Sequence, residues 1–162
     1  MGYAIQWVRS LIFTISVYIA IAVVGIALFP WAVFSRKGAR TGCMTVCHYV
    51  RWAAPWMIGL KTEIRGTPPT EECLVASKHQ SFLDVILVFS ALPAGMCIMK
   101  RLLMYAPIVG QYGLRSGCIP VDRGKRGAAI KQMVESVEKG TATPGQLIIY
   151  PQGTRIAPGV KA

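Results

Sequence analysis

Residues 73–91 read CLVASKHQSFLDVILVFSA, and the stretch divides in its middle. Cys73–Ser77 is a short β-like run, and Val85–Phe89 opens an apolar segment long enough to be helical. Between them Ser81-x-x-Asp84 has the form of a capping box, with Ser81 as the N-cap and Asp84 as the third helical residue. A strand, a polar loop and a helix in that order form half of a parallel crossover unit. The loop carries Lys78, His79 and Gln80. Along one continuous helix, five residues would turn about 500° and leave His79 and Asp84 about 140° apart. The break at Ser81 changes this, because it leaves His79 in the loop and Asp84 in the first helical turn, within reach of an imidazole nitrogen. A carboxylate that fixes the tautomer and stabilises the imidazolium makes histidine a general base. The same spacing also suits an Asp84 that only caps its helix beside a structural histidine, and spacing alone does not choose.

Outward from this stretch the pattern repeats. Lys61–Arg65, Met96–Met99, Cys118–Val121 and Gln146–Tyr150 are further strand candidates, separated by helical patterns over Ser81–Ala91, Lys125–Lys139 and, less regularly, Arg101–Leu114. Gly66-Thr-Pro-Pro-Thr70 is a turn. This alternation predicts an α/β fold with a largely parallel sheet and helical crossovers, with functional loops at the carboxyl ends of the strands.

Two more such loops carry chemistry. Gly117–Arg123 reads GCIPVDR and delivers an aspartate and an arginine at the end of a strand. It is not a phosphate loop of the Walker type, since Ile119 stands where the first glycine belongs and no Ser or Thr follows Lys125. Tyr150–Arg155 reads YPQGTR: Gly153 allows close backbone approach, Thr154 supplies a hydroxyl, and Arg155 a planar fork matched to phosphate oxygens. Either loop alone is an ordinary turn. Together the three motifs put one candidate base and two arginines, Arg123 and Arg155, at the ends of different strands.

The first third of the chain is of another kind. Leu11–Phe34 is a run of 24 residues without a charge, and about 20 suffice for a helix to cross a bilayer. A secretory signal has an apolar region of only about 7 to 15 residues and a small-residue cleavage site; here the run is longer and meets Ser35, Arg36 and Lys37. Pro30 near its end permits a kink, so a full crossing and a hairpin within one leaflet are both open. Met44–Leu60, apolar but interrupted by His48 and Arg51 and rich in Trp and Tyr, reads as an interfacial helix. Arg36, Lys37 and Arg40 outnumber Arg9, so the positive-inside rule puts the downstream chain in the cytoplasm. The expected division is a membrane-anchoring segment over residues 1–60 and an α/β domain over 61–162.

Composition agrees. The 162 residues are 53% hydrophobic and 15% charged, with a net charge of +11, against the about 25% charge of a usual soluble domain. Disorder, collagen and disulfide scaffolds are excluded, the five scattered cysteines fitting a reducing compartment. The excess of cations calls for an anionic partner, and no recognisable nucleic-acid module accompanies it. His48, Cys43 and Cys47 lack a fourth metal ligand. A non-catalytic cationic membrane binder would share this charge and hydropathy, but would not need three ordered motifs.

Those motifs, in that order, resemble the glycerolipid acyltransferases. KHQSFLD is similar to their His, four residues, Asp motif; GCIPVDR to their second motif; YPQGTR to their third, which usually has Glu where Gln152 stands; and IMKRLLMYAPIVG to their lysine-containing segment. The resemblance runs from about Lys61 to the last residue and is nearest to the bacterial 1-acyl-sn-glycerol-3-phosphate type. It implies transfer of an acyl group from acyl-CoA or an acyl carrier protein thioester to the sn-2 hydroxyl of lysophosphatidate, giving phosphatidate, with no other cofactor and no metal. Acyl transfer to another lysolipid is the alternative. It further implies His79 as base and Asp84 as its orienter; Arg123, Gly153, Thr154 and Arg155 around the acceptor phosphate; Gln152 beside the acceptor; and Lys100 lining the site or assisting the oxyanion. The implied location is the inner membrane, with the catalytic domain on its cytoplasmic face. The family continues into further strands and a fourth motif, so the sequence is expected to be an amino-terminal portion, with little activity by itself.

Overall fold

The computed structural model describes residues 2–121, 134–135, 145–156 and 159. Among these residues four parallel strands form a sheet: β1 (Cys73–Ala76), β2 (Gly95–Lys100), β3 (Ile119–Val121) and β4 (Gln146–Ile149), in the spatial order β1-β4-β2-β3. Helix α4 (Leu83–Ala91) follows β1; a 3₁₀ segment, Arg101–Tyr105, and helix α5 (Val109–Arg115) follow β2. A mostly parallel sheet with helical crossovers is what the alternating pattern predicted. The helix expected over Lys125–Lys139 lies outside the described residues, apart from Val134 and Glu135, which are helical.

β4 joins the flanking strands, with Val75 and Cys97 both in register with its Ile148. Ile148 is fully buried, packed with Phe89, Leu92 and Cys97 between the sheet and α4. Met96, Ile119, Val121 and Leu147 cluster separately, as expected when successive strand residues point to opposite faces. Truncating a side chain such as Ile148 to alanine would cost about 2–5 kcal/mol. At the start of β4, Gln146 is also fully buried. Its Oε1 accepts from the Ala94 N–H at 2.8 Å and its Nε2 donates to the Glu71 carbonyl at 2.9 Å, so one side chain satisfies the backbone entering both neighbouring strands.

Lys61–Arg65, read above as a strand, is not one. With Ile64 its only large apolar residue, it has no face to bury, and Glu63 and Arg65 pair with each other in solvent at 2.9 Å.

The amino-terminal boundaries also differ from those read above. Helix α1 runs Tyr3–Ala27, eight residues earlier than the uncharged stretch; the chain turns at Leu28, α2 (Phe29–Phe34) starts with Pro30 in its first turn, and α3 spans Arg36–Met57. The stretch Met44–Leu60, read above as an interfacial helix, is helical only to Met57, as the later part of a longer helix whose N-cap Ser35 accepts from the Lys37 N–H. Helices α1 and α3 form an antiparallel hairpin. Arg9 of α1 donates to the carbonyls of Met57 (2.6 Å) and Trp56 (2.9 Å), and Gln6 to that of Ile58 (3.2 Å). A cation on the orphan carbonyls of a helix C-terminus is favourable, which lets Arg9 sit inside an otherwise apolar helix. Helix α1 is long and apolar enough to cross a membrane, and Ile5, Trp7, Ile12, Ile19 and Ile26 are exposed along it.

The other side of α3 packs on α4 and α5. Tyr112 of α5 fits against both hairpin helices: its hydroxyl donates to the Gly25 carbonyl at 2.7 Å, and its ring lies so close to Gly42 that a Cβ there would come within 2.5 Å of it.

Candidate active site

Because the strands are parallel, the loops after β1, β2, β3 and β4 leave the sheet from one edge. β1 and β4 are neighbours, so the KHQSFLD and YPQGTR loops adjoin. Their backbones are fastened together: Ser77 N–H donates to the Ile149 carbonyl (3.0 Å), His79 N–H to Oε1 of Gln152 (2.8 Å), and Ile156 N–H to the His79 carbonyl (2.9 Å).

His79 is 7% exposed, its ring stacked on Tyr150 with centroids 4.3 Å apart and planes tilted by 30°. Oδ2 of Asp84 lies 3.4 Å from His79 Nδ1. No aligned hydrogen bond joins the two, and Nδ1 has no hydrogen-bond partner among the described residues. Such contacts are often long until substrate binds. A break between His79 and Asp84 is present as the sequence suggested, but the N-cap is Phe82, not Ser81, so Asp84 is the second helical residue and not the third. Asp84 Oδ2 accepts from the N–H groups of Gln80 (2.5 Å) and Ser81 (2.7 Å), and Ser81 Oγ accepts from Leu83 N–H (3.1 Å), so the helical ladder proper begins at Leu83. Asp84 thus caps its helix and faces the histidine at once. Partial burial would raise its carboxyl, but the Ser81 and Gln80 N–H groups, the Ser81 hydroxyl and His79 outweigh this and hold it below the ordinary carboxylate range.

Gln152 faces the His79 backbone, while Gly153, Thr154 and Arg155 are exposed beyond it. Gly153 takes a left-handed φ of +68° and its N–H closes a turn onto the Tyr150 carbonyl at 2.9 Å; a Cβ there would meet open space, so the turn conformation, not crowding, favours glycine. Lys100 is exposed at the end of β2. Arg123 lies outside the described residues, two positions after β3 ends at Val121. No group of His, Cys, Asp and Glu that could hold a metal occurs among the described residues.

Two features escaped the sequence reading. Tyr150 had no assigned role; its hydroxyl is buried with no partner among the described residues, and burial raises its pKa. The second is a cavity of about 250 Å³ between the hairpin and the α/β layer, lined by apolar side chains including Ile21, Val46, Val85 and Met99. Phe82 also lines it and stands between Ser81 and Asp84 in the chain. Only the union of six elements, α1, α3, α4, β2, the 3₁₀ segment and α5, makes this space, so no local pattern announces it.

Residues 61–161 match the protein family described as Acyltransferase. The chain is 30% identical over 134 residues to 1-acyl-sn-glycerol-3-phosphate acyltransferase alpha of Mus musculus, covering 80% of this chain and 47% of that one. It is 28% identical over 115 residues to the 1-acyl-sn-glycerol-3-phosphate acyltransferase of Pseudomonas aeruginosa, covering 70% and 45%. The chain therefore spans about half the length of these relatives. The crystal structure of the 1-acyl-sn-glycerophosphate acyltransferase PlsC from Thermotoga maritima superposes with a TM-score of 0.66 at 21% identity, over 93% of this chain and 64% of that one, a likeness of fold.

Proposed function

The chain belongs to the acyltransferase family, and we propose that it serves the transfer of a fatty acyl group from a thioester, acyl-CoA or acyl carrier protein, to the sn-2 hydroxyl of 1-acyl-glycerol-3-phosphate, giving phosphatidate. The observation that carries the reading is the pair His79 Nδ1 and Asp84 Oδ2, 3.4 Å apart at the carboxyl edge of the sheet.

In this reaction Asp84 keeps the His79 proton on Nδ1 and leaves Nε2 as the base. Nε2 takes the proton of the acceptor hydroxyl as its oxygen attacks the thioester carbonyl. The tetrahedral intermediate collapses with loss of the thiolate, which the imidazolium protonates. No acyl-enzyme forms, so Ser81 needs no nucleophilic role. Arg155 and Arg123, with Gly153 and Thr154, hold the acceptor phosphate; bidentate contacts from guanidinium suit it. Gln152 acts beside the acceptor by fixing the loop that carries His79, and Lys100 lines the site's far side. The apolar cavity behind Phe82 is of a chemistry that takes acyl chain rather than headgroup.

The exposed apolar face of α1 and the net charge of +11 support residence on an anionic membrane. We place the α/β domain on the cytoplasmic face of the inner membrane. The test presents acyl-CoA and acyl carrier thioesters, each with a panel of lysolipids, to the protein in detergent or vesicles. Phosphatidate formed from lysophosphatidate, lost in His79→Ala, supports the reading; transfer that persists in His79→Ala sinks the mechanism.

A further inference from the structure

Between β2 and α5 the chain exposes large apolar and aromatic side chains in close succession: Leu102 (65%), Leu103 (44%), Tyr105 (76%) and Val109 (46%). Phe82, at the start of α4, is 67% exposed. Phe82, Leu103 and Val109 also line the apolar cavity, so the cavity meets the surface where they stand. Leu102 and Tyr105 stand outside its lining, and acyl transfer as described uses neither.

The segment is fastened to the amino-terminal hairpin. Ile108 has φ +61°, the one positive value at a non-glycine residue among the described residues, and the Val109 N–H closes a tight turn onto the Pro107 carbonyl at 2.6 Å. A β-branched residue in that region is strained and persists only where its surroundings fix it. Here Ile108 packs so closely on Gly25 of α1 that a Cβ there would collide with its Cγ2. Helix α5 is tied to the hairpin as well: Tyr112 donates to the Gly25 carbonyl, and Arg115 Nη1 to the Val33 carbonyl of α2 at 2.8 Å. Ile26, next to Gly25, and Phe34, next to Val33, are exposed. The apolar surface of the hairpin and that of residues 102–109 thus adjoin.

Charge follows the same division. Between Asp84 and Asp122 the chain has Lys100, Arg101 and Arg115 and no acid, as residues 1–60 have cations and no acid. Exposed leucines and an aromatic ring beside cations suit the headgroup boundary of an anionic membrane, and an exposed apolar patch at the mouth of a cavity marks an interaction surface.

We propose that residues 101–109, with Phe82, form a second membrane-docking surface beside the hairpin, which sets Leu102, Leu103, Tyr105 and Val109 into the same anionic leaflet as α1 and opens the cavity to lipid. The partner is the bilayer itself. An acyl chain then passes between bilayer and cavity without crossing water; that consequence rests on the function proposed above, whereas the docking surface does not.

The experiment reconstitutes the protein in vesicles of equal parts phosphatidylglycerol and phosphatidylcholine, with a trace of phosphatidylcholine bearing a diazirine in its acyl chain, and maps adducts after illumination. Cleavage after Arg101 and Arg115 releases Leu102–Arg115 as one peptide. Adducts are expected on α1 and on this peptide, with Leu102 and Tyr105 among the labelled residues, since a chain lodged in the cavity reaches only its lining. Leu102→Ser combined with Tyr105→Ser should lower the yield on this peptide several-fold and leave that on α1 unchanged. Adducts confined to residues 1–60 or to the cavity lining overturn the proposal. So does a particle mass in detergent that falls on the double substitution, which would put a second copy of the chain on this surface. Labelled Leu102 and Tyr105 in a protein that transfers no acyl group establish the surface and count against the function alone; acyl transfer without that labelling overturns the surface alone.

Discussion

The N–H of His79 donates to Oε1 of Gln152 at 2.8 Å, and the carbonyl of the same histidine accepts from Ile156. Both backbone polar groups of the candidate base are therefore held by the loop that follows β4. The position of the imidazole depends on a strand 70 residues further along the chain.

Gln152 should accordingly tolerate glutamate and not leucine. Glutamate keeps an acceptor for the His79 N–H, whereas leucine leaves that half-buried donor unpaired, a cost of about 1–3 kcal/mol. Gln152→Glu is expected to retain transfer within a few-fold, and Gln152→Leu to lower kcat more than KM, with a reduced melting temperature. Equal kinetics in the two variants would show that the clasp does not set the geometry of His79.

His79→Ala should reduce acyl transfer by about 10² to 10⁴ while lysophosphatidate still binds. Asp84→Asn should slow transfer and also destabilise, because the carboxylate supports the backbone of Gln80 and Ser81 besides facing the imidazole. Single-turnover rates and acceptor binding, measured together, separate the two roles.

The depressed Asp84 carboxyl fixes the sign of a pH effect. Folded, it binds protons less readily than in the unfolded chain, so its contribution is present above the unfolded pKa and is lost as pH falls through the lower, folded one. The melting temperature should fall on acidification into the carboxylate range, and less steeply in Asp84→Asn. Thermal unfolding across that range checks it; parallel curves for the two proteins would contradict it.

The strands β1 to β4, the break between His79 and Asp84 and the loops at the sheet's carboxyl edge were legible because each is written locally, in apolar runs, a cap pattern and glycine-containing turns. The full extent of α1 was not. Arg9 interrupts its apolar pattern, and what makes Arg9 acceptable is a pair of carbonyls 47 and 48 residues away. The strand misread at Lys61–Arg65 failed for the converse reason, since a β-like composition forms no strand without an apolar face to bury. The stacking of Tyr150 on His79 follows from β4 lying beside β1, and sheet order is not encoded in any single segment.

Arg155→Lys keeps a positive charge but loses the planar fork. If the loop after β4 grips a phosphate monoester, KM for lysophosphatidate should rise in this variant and the preference over a neutral lysolipid should shrink. Unchanged acceptor kinetics would mean that the phosphate is held by other groups.

Tyr150 allows the ring to be separated from its hydroxyl. The ring lies against His79 at 4.3 Å and packs with the Phe89, Leu92, Cys97 and Ile148 cluster, while the hydroxyl is buried without a partner among the described residues. A buried polar group that gains no hydrogen bond costs about 1–3 kcal/mol, and replacing it with an apolar group of the same shape returns much of that. Tyr150→Phe should therefore raise the melting temperature or leave it unchanged, with transfer within a few-fold of the native rate. Tyr150→Ala removes the surface on which the imidazole rests and opens a cavity, for which about 3–5 kcal/mol is the usual scale of loss for a large aromatic side chain. Its kcat should fall well below that of Tyr150→Phe. A Tyr150→Phe protein that is stable but has lost transfer would reverse the assignment, making the hydroxyl a group that touches the substrate.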